Sequence, residues 1–203
     1  MSDVTAILEN MQEYARQFRV PILSAEGVSL LSQAIQIHRP QSILEIGTAI
    51  GYSAIIMAGH ASPGARILTI EQDEARLMTA RHFIQQAGME AMITVVPGDA
   101  GNVLPELTGR FDFVFIDAAK GQYLNYLRQI MDRLLPGAVI IADNVLFRGM
   151  VGKADPPRRY RTIVKRLEQY LTFVTEDRRF QTTVYSRGDG IAISRFQGDI
   201  AHE

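Results

Sequence analysis

The 203-residue chain contains no cysteine. Disulfides, zinc thiolate centres and cysteine nucleophiles are therefore excluded, and the absence suits a reducing compartment. Net charge is nearly absent too: 21 Lys and Arg stand against 22 Asp and Glu, a formal −1. Nothing in that overall balance draws the chain to DNA, other nucleic acid or a membrane surface. No apolar run approaches the ~20 residues of a membrane-spanning helix. The opening MSDVTAILENMQEYARQFRV carries acids and lacks the apolar core of a secretory leader. Internal repeats and low-complexity stretches are also missing. These absences lead to the expectation of a cytoplasmic protein with one domain over 1–203, since this length is one domain's worth.

The apolar fraction is 47%, enough for a sizeable core. Apolar residues recur at helical spacing over 4–17 (Ile7, Leu8, Met11, Tyr14) and over 24–38, where Ser24 is placed as a cap and Pro40 follows the end. Five short apolar segments, 42–46, 65–70, 92–96, 111–116 and 138–142, read as strands. Helical patterns over 52–60, 73–86 and 124–135 lie between them, the second closed by Gly88 and the third by Pro136-Gly137. Buried strands alternating with helices predict an α/β fold with a parallel sheet and helices on both faces. The tail breaks the alternation. After a helix over 158–171, strands at 182–186 and 191–194 flank Arg187-Gly188-Asp189-Gly190, a hairpin signal that gives the sheet an antiparallel end. Segment 149–157 reads as a loop.

Charge is unevenly spread beneath the small total. Between Arg148 and Arg187 ten basic residues face four acids, leaving the rest of the chain net negative. The basic set includes Arg158, Arg159, Arg161, Lys165 and Arg166.

Three strand ends carry polar or glycine-rich signals. The first strand runs into Glu45-Ile46-Gly47-Thr48-Ala49-Ile50-Gly51-Tyr52-Ser53. Glycines at a strand-to-helix turn let the backbone pass close to a ligand. The spacing is G-x-x-x-G, so the dinucleotide pattern G-x-G-x-x-G is absent and a nicotinamide enzyme is disfavoured. The second strand leads to Glu71, an acid placed to accept the ribose hydroxyls of a nucleoside. The third ends in Pro97-Gly98-Asp99-Ala100, where an acid can receive an adenine amino group. Taken singly, the glycine loop is as readily a tight turn, and Glu71 is better read as a solvated loop acid.

The fourth strand ends at Asp117-Ala118-Ala119-Lys120 and the fifth at Asp143-Asn144. In a parallel sheet these tips share one edge. Two carboxylates and an amide oxygen converging there repel unless a cation joins them, and oxygen-only ligands suit a hard ion, Mg2+ or another divalent cation. A hydroxyl coordinated to such an ion is a stronger acid, and Lys120 is placed to serve as base. Each pair alone also reads as a cap, a turn or a Lys–Asp contact; the combination is harder to reduce to turns.

EIGTAIGYS, the acid in TIEQD, the GDA tip, IDAAK and the ADN tip, in that order, resemble the cation-dependent O-methyltransferases, the family of catechol and caffeoyl-CoA O-methyltransferases. The resemblance runs from about Val20 to the C-terminal hairpin. It implies a Rossmann-like class I methyltransferase fold, a seven-stranded, mostly parallel sheet closed by an antiparallel hairpin. It implies S-adenosylmethionine as cofactor, with contacts at Ile22, Gly47, Ser53, Glu71, Gly98, Asp99 and Asp117; Glu45 and Ala100 join this set from the same tips. It implies Asp117, Asp143 and Asn144 as metal ligands and Lys120 as general base. A homodimer is common in the family, and 1–38 would contribute to the dimer or a lid, with Ile7, Leu8 and Met11 as an exposed apolar stripe.

Within the family, ILEIGTAIGYSAI, FIDAAKGQY, DNVLFRGMV and GDGIAISR are most similar to bacterial tRNA 5-hydroxyuridine methyltransferases. That likeness implies tRNA as partner and 5-methoxyuridine as product, and the basic segment agrees, with Arg158, Arg159, Arg161 and Lys165 as RNA contacts. The 153–159 segment looks short, which leaves the RNA contacts of relatives hard to carry over. Two other readings stay open: a small-molecule catechol-type O-methyltransferase using the same residues, and a non-catalytic nucleotide-binding module.

Overall fold

The computed structural model describes residues 4–186 and 188–198. Arg187, counted above in the basic segment and the hairpin turn, lies outside the described residues. The elements follow the order α1 (Val4–Phe18), α2 (Ala25–His38), β1 (Ser42–Ile46), α3 (Tyr52–His60), β2 (Arg66–Glu71), α4 (Glu74–Gln86), β3 (Ile93–Pro97), α5 (Ala100–Val103), β4 (Phe111–Ile116), α6 (Tyr123–Ile130), β5 (Leu134–Asp143), α7 (Arg161–Glu176), β6 (Phe180–Tyr185) and β7 (Ile191–Phe196). Seven strands make one mixed sheet in the order β3-β2-β1-β4-β5-β7-β6. The predicted antiparallel end is there. The chain divides into two compact units, one ending at Val103 and one beginning at Leu104.

In the first unit β1, β2 and β3 pair in parallel, with Ile46 opposite Ile70 and Glu71 opposite Pro97. The tips of these strands are therefore level. Ile43, Leu44, Glu45 and Ile46 are all buried, although neighbouring side chains on a strand point to opposite faces. The strand is covered on both sides, which is why SILEI reads as a run and not as an alternation. Ser24 caps α2 as expected, its Oγ accepting the Gly27 N–H at 3.2 Å. Helix α1 packs on α3 and α4. That packing corrects the expected exposed stripe: Ile7 and Met11 are buried within the chain's own fold.

In the second unit β4 and β5 pair in parallel, with Ile116 opposite Ala142. Asp117 and Asp143 each follow one residue later, so the register brings both to the same edge. Strand β7 runs antiparallel to β5, and β6 antiparallel to β7. The helix expected to reach residue 135 ends at Ile130, followed by a short 3-10 turn, Met131–Arg133. Strand β5 starts at Leu134 and carries Pro136-Gly137 inside it. The reason is a register irregularity between Phe111 and Phe113. There a proline without an N–H and a glycine at φ 87° fit where a regular ladder would reject them. Helix α7 is longer than its pattern suggested, reaching Glu176, with Val164, Leu167, Tyr170 and Val174 on its buried stripe.

Candidate active site

The first unit carries the strand tips expected to contact the cofactor. After β1 the backbone turns through Gly47 at φ 105°, Ala49 at φ 47° and Gly51 at φ 88° into α3. Ala49 is the unusual member, because a side chain in the left-handed region costs about 1 kcal/mol or more. Hydrogen bonds hold it there. Its N–H donates to Glu71 Oε2 at 2.8 Å, and the N–H groups of Gly47 and Thr48 both donate to the Ile70 carbonyl at 3.1 Å. Glu71 also accepts the Asp73 N–H on Oε1 at 2.9 Å, so both oxygens of this buried carboxylate are fixed by backbone donors.

Glu45 is fully buried. It accepts from the Ser53 hydroxyl, at the start of α3, and from Thr69 Oγ1 at 2.5 Å. From that position it braces the loop against β2 rather than standing at its rim. Gly98, at φ 133°, follows β3, and its N–H donates to the Glu71 carbonyl at 2.9 Å. Asp99 is exposed and accepts the Gly101 N–H at 2.8 Å at the start of α5, while Ala100 is buried behind it. Ile22 is half-buried in the segment between α1 and α2.

The second unit supplies the acidic set. Asp117 is half-buried, and Lys120 Nζ stands 3.7 Å from its Oδ1. Burial pushes the Asp117 carboxyl above its ordinary value, and Lys120 pulls it back in part. Asp143 is pushed up to about 6, first by burial and then by the charge of Asp117. The Asn144 N–H, donating to Asp143 Oδ1 at 2.7 Å, counters that rise. Asn144 itself is left-handed, at φ 55°. Two carboxylates both raised by burial, the second also by the charge of the first, with one lysine beside them, leave unbalanced negative charge at a partly dry edge. An oxygen-only donor set of that kind fits a hard divalent cation. Among the described residues no three His, Cys, Asp or Glu side chains gather as a metal-binding group; the expected set relies on two carboxylates and an amide.

Tyr123, which sequence reasoning did not single out, sits under this edge. Its hydroxyl donates to the Asp143 backbone carbonyl at 3.0 Å. Burial, with the charges of Asp117 and Asp143, holds the phenol well above its usual range, so it stays neutral. The only sequence signal was an aromatic residue three places after Lys120, at the start of the amphipathic α6.

Beyond Asn144 the chain is tied to the hairpin. The N–H groups of Val145 and Leu146 donate to the carbonyls of Gly190 (3.0 Å) and Asp189 (2.8 Å), and the Arg148 N–H donates to Asp189 Oδ1 at 3.1 Å. Arg148 and Arg159 both lie over the Tyr160 ring, at 5.7 and 4.6 Å from its centre. Arg158, Arg159, Arg161 and Lys165 are exposed. Arg161, Thr162, Lys165, Arg166 and Gln169 line a shallow groove of about 430 Å³ beside α7. The expected RNA contacts are thus solvent-facing, although Arg161 is engaged by Asp155 at 2.7 Å.

Residues 2–197 match the family described as O-methyltransferase. A catechol O-methyltransferase of Niastella koreensis is 37% identical over 120 residues, 57% of this chain and 54% of that enzyme. The chain thus spans about half the length of that relative. A caffeoyl-CoA O-methyltransferase of Populus kitakamiensis is 29% identical over 81% of this chain and 74% of its own. Among solved structures, the O-methyltransferase from Bacillus cereus in complex with SAH superposes with a TM-score of 0.84 at 29% identity, covering 94% of this chain and 90% of that one.

Proposed function

Because the chain belongs to the O-methyltransferase family, we propose that it moves the methyl group of S-adenosylmethionine onto a hydroxyl held at a divalent-cation site, and that the acceptor is 5-hydroxyuridine in tRNA. The observation that carries the chemistry is the acidic edge, where Asp117, Lys120 and Asp143 converge on consecutive strand tips.

Asp117, Asp143 and Asn144 would hold the cation. When bound, it lowers the pKa of a coordinated hydroxyl and fixes the acceptor oxygens. The chain's own residues do the rest. Lys120, 3.7 Å from Asp117, is the residue placed to receive the acceptor proton. The acceptor oxygen then forms a bond to the methyl carbon as the carbon–sulfur bond breaks, and S-adenosylhomocysteine leaves. Glu71, held by two backbone donors, presents its remaining lone pairs to the ribose hydroxyls, and Asp99 faces solvent where an adenine amino group can meet it. Holding both reactants in line supplies much of the rate.

The tRNA acceptor is supported by the exposed basic segment and by chemistry. The 5-hydroxyl and the neighbouring O4 of the base form a chelating pair like the two oxygens of a catechol, so one cation site serves either. Phosphate contacts dominate nucleic-acid affinity. With Arg158, Arg159, Arg161 and Lys165 each meeting a phosphate, the logarithm of affinity should fall against the logarithm of salt with a slope of about −3. A homodimer is proposed with it, drawing on the exposed Phe18 and Ile37 of the first two helices; a monomer by light scattering refutes that part.

The deciding assay incubates the protein with S-adenosylmethionine and hydroxylated tRNA, then measures nucleosides by mass spectrometry. Formation of 5-methoxyuridine is expected, with loss on chelation or in Asp143→Ala. Charge reversal at Arg158 and Arg159 should abolish RNA binding and spare cofactor binding. A second reading, a small catechol-type acceptor, is favoured by the likeness to a catechol O-methyltransferase. Turnover of free catechol with hydroxylated tRNA untouched decides for it. No methyl transfer to either acceptor refutes the enzyme reading altogether.

A further inference from the structure

We propose that Tyr123 is the positioning residue of the cation site, its hydroxyl tying the tip of β4 to the tip of β5 and so fixing Asp117, Asp143 and Lys120 relative to one another. The inference rests on the cation reading above.

The hydroxyl donates to the Asp143 backbone carbonyl at 3.0 Å, and the Ala118 backbone amide is near enough to offset part of the rise in its pKa. Asp143 ends β5, and Ala118 is the residue directly after Asp117. Tyr123 itself belongs to the segment that leaves β4 through Asp117 and Lys120, so its one geometric hydrogen bond ties that segment to the end of β5. Strand pairing already aligns these segments as far as Ile116 and Ala142. Beyond that point the ladder stops, and the Tyr123 bridge continues the connection one step further, where the carboxylates leave the sheet.

The same residue controls Lys120. Lys120–Gln122 is a 3-10 turn that runs directly into α6, and Tyr123 is the first residue of that helix. An anchored Tyr123 pins the end of the turn on which the lysine stands. Its ring is 1% exposed and meets Tyr170 edge-on, centroids 5.8 Å apart at 84°. Tyr170 provides an internal contrast, because its equally buried hydroxyl has no partner among the described residues. Of two tyrosines packed together, one holds the strand tips through its oxygen and the other contributes its ring alone. Tyr123 touches no reacting atom in this role; it acts through the backbone on either side of the acids.

The test compares wild type, Tyr123→Phe, Tyr170→Phe and the double variant. Mg2+ binding to the cofactor-free protein is titrated by calorimetry, thermal unfolding is recorded alongside, and kcat and the KM for S-adenosylmethionine are measured across Mg2+ concentrations. Partners of metal ligands typically change affinity by ~10–100-fold when removed. Tyr123→Phe should raise the Mg2+ dissociation constant within that range, leave the KM for S-adenosylmethionine within about twofold of wild type, and recover part of kcat at saturating Mg2+. Tyr170→Phe should bind Mg2+ like wild type. If Tyr123→Phe unfolds too readily to titrate, the double variant, relieved of the unpaired Tyr170 hydroxyl, is titrated instead. A lowered melting temperature with unchanged Mg2+ affinity overturns the positioning role and leaves a packing role. Wild-type protein that binds no Mg2+ overturns the cation reading beneath it, and this inference with it.

Discussion

Replacing Tyr170 by phenylalanine should make the protein more stable. Tyr170 lies on α7 with 0% exposure, and its hydroxyl is buried with no hydrogen-bond partner among the described residues. Folding strips water from that oxygen and returns nothing, a cost of ~1–3 kcal/mol. Phenylalanine removes the cost and keeps the edge-on contact with Tyr123. It gives up the dispersion contacts of a single atom, each worth ~0.1–0.2 kcal/mol. The expected net is a gain of about 1 kcal/mol, or ~2–4 °C in Tm for a chain of this size. Urea unfolding should show a higher midpoint with an unchanged slope, since the surface exposed on unfolding is the same. A pH series gives an independent reading. Burial raises the Tyr170 phenol from its ordinary 10. Its neutral form is favoured in the folded state, so its contribution is fully present below about pH 10. Above that the unfolded chain ionises first, and wild type loses up to ~1.4 kcal/mol per pH unit from this residue until the folded phenol also ionises. The Tyr170→Phe variant has no such loss, so the gap between variant and wild type should widen from about pH 9 to about pH 11. A variant less stable than wild type, or a gap that stays flat over that range, would show that the hydroxyl is solvated or bonded and would refute the reasoning.

Three further perturbations test other parts of the architecture. Glu71→Ala strips the acceptor from the Ala49 and Asp73 N–H groups; losing hydrogen bonds to a charged group, ~1.5–3 kcal/mol, should weaken S-adenosylmethionine binding by ~10–100-fold in calorimetry, and affinity within twofold of wild type would count against the loop's dependence on it. Gly190→Ala places a Cβ 2.3 Å from Leu146 Cγ at a residue with φ 81°; left-handed strain and overpacking together should cost ~2–4 kcal/mol, and a melting temperature equal to wild type argues against that close approach. Asp177→Asn removes a carboxylate that the Arg179 side chain holds below its ordinary pKa. Because that shift is downward, its stabilisation is present above about pH 4 and fades as pH falls through the lowered value; being partly exposed it should amount to under ~1 kcal/mol, and a stability difference that grows on acidification contradicts the sign.

The parts of the fold that were legible in the sequence are those where one physical signal dominates. FDFVFI and SILEI are apolar on both faces, and only a covered strand needs that. Ser24, with a free N–H three residues on, marks a helix start by hydrogen-bond geometry alone. The beginning of β5 was not legible, because Pro136-Gly137 normally ends an element and nothing local reveals the register irregularity that accommodates it. The exposure of Ile7 and Met11 was misjudged for a related reason: a helical stripe shows that a face is buried, not what buries it. At the site, Asp117, Lys120 and Asp143 stood out because they are charged residues at the ends of apolar strands. Glu45 reads as one more such acid, and only three-dimensional packing shows it fully covered and bonded to Ser53 and Thr69. Tyr123 was hidden more thoroughly, since an aromatic on the apolar face of a helix is ordinary core and its function lies in one oxygen atom.

The hydrogen bonds from Val145, Leu146 and Arg148 to Asp189 and Gly190 have an implication for how such a chain can be altered. The segment that follows the acidic edge takes its shape from a turn more than forty residues later, not from the acids themselves. The acids and the shape of the segment that follows them are therefore set by separate stretches of sequence. A library confined to 145–148 and 188–190 would vary the shape of that segment while leaving Asp117, Lys120 and Asp143 untouched, which makes the hairpin turn the place from which to reshape the surroundings of the acidic edge without altering the edge itself.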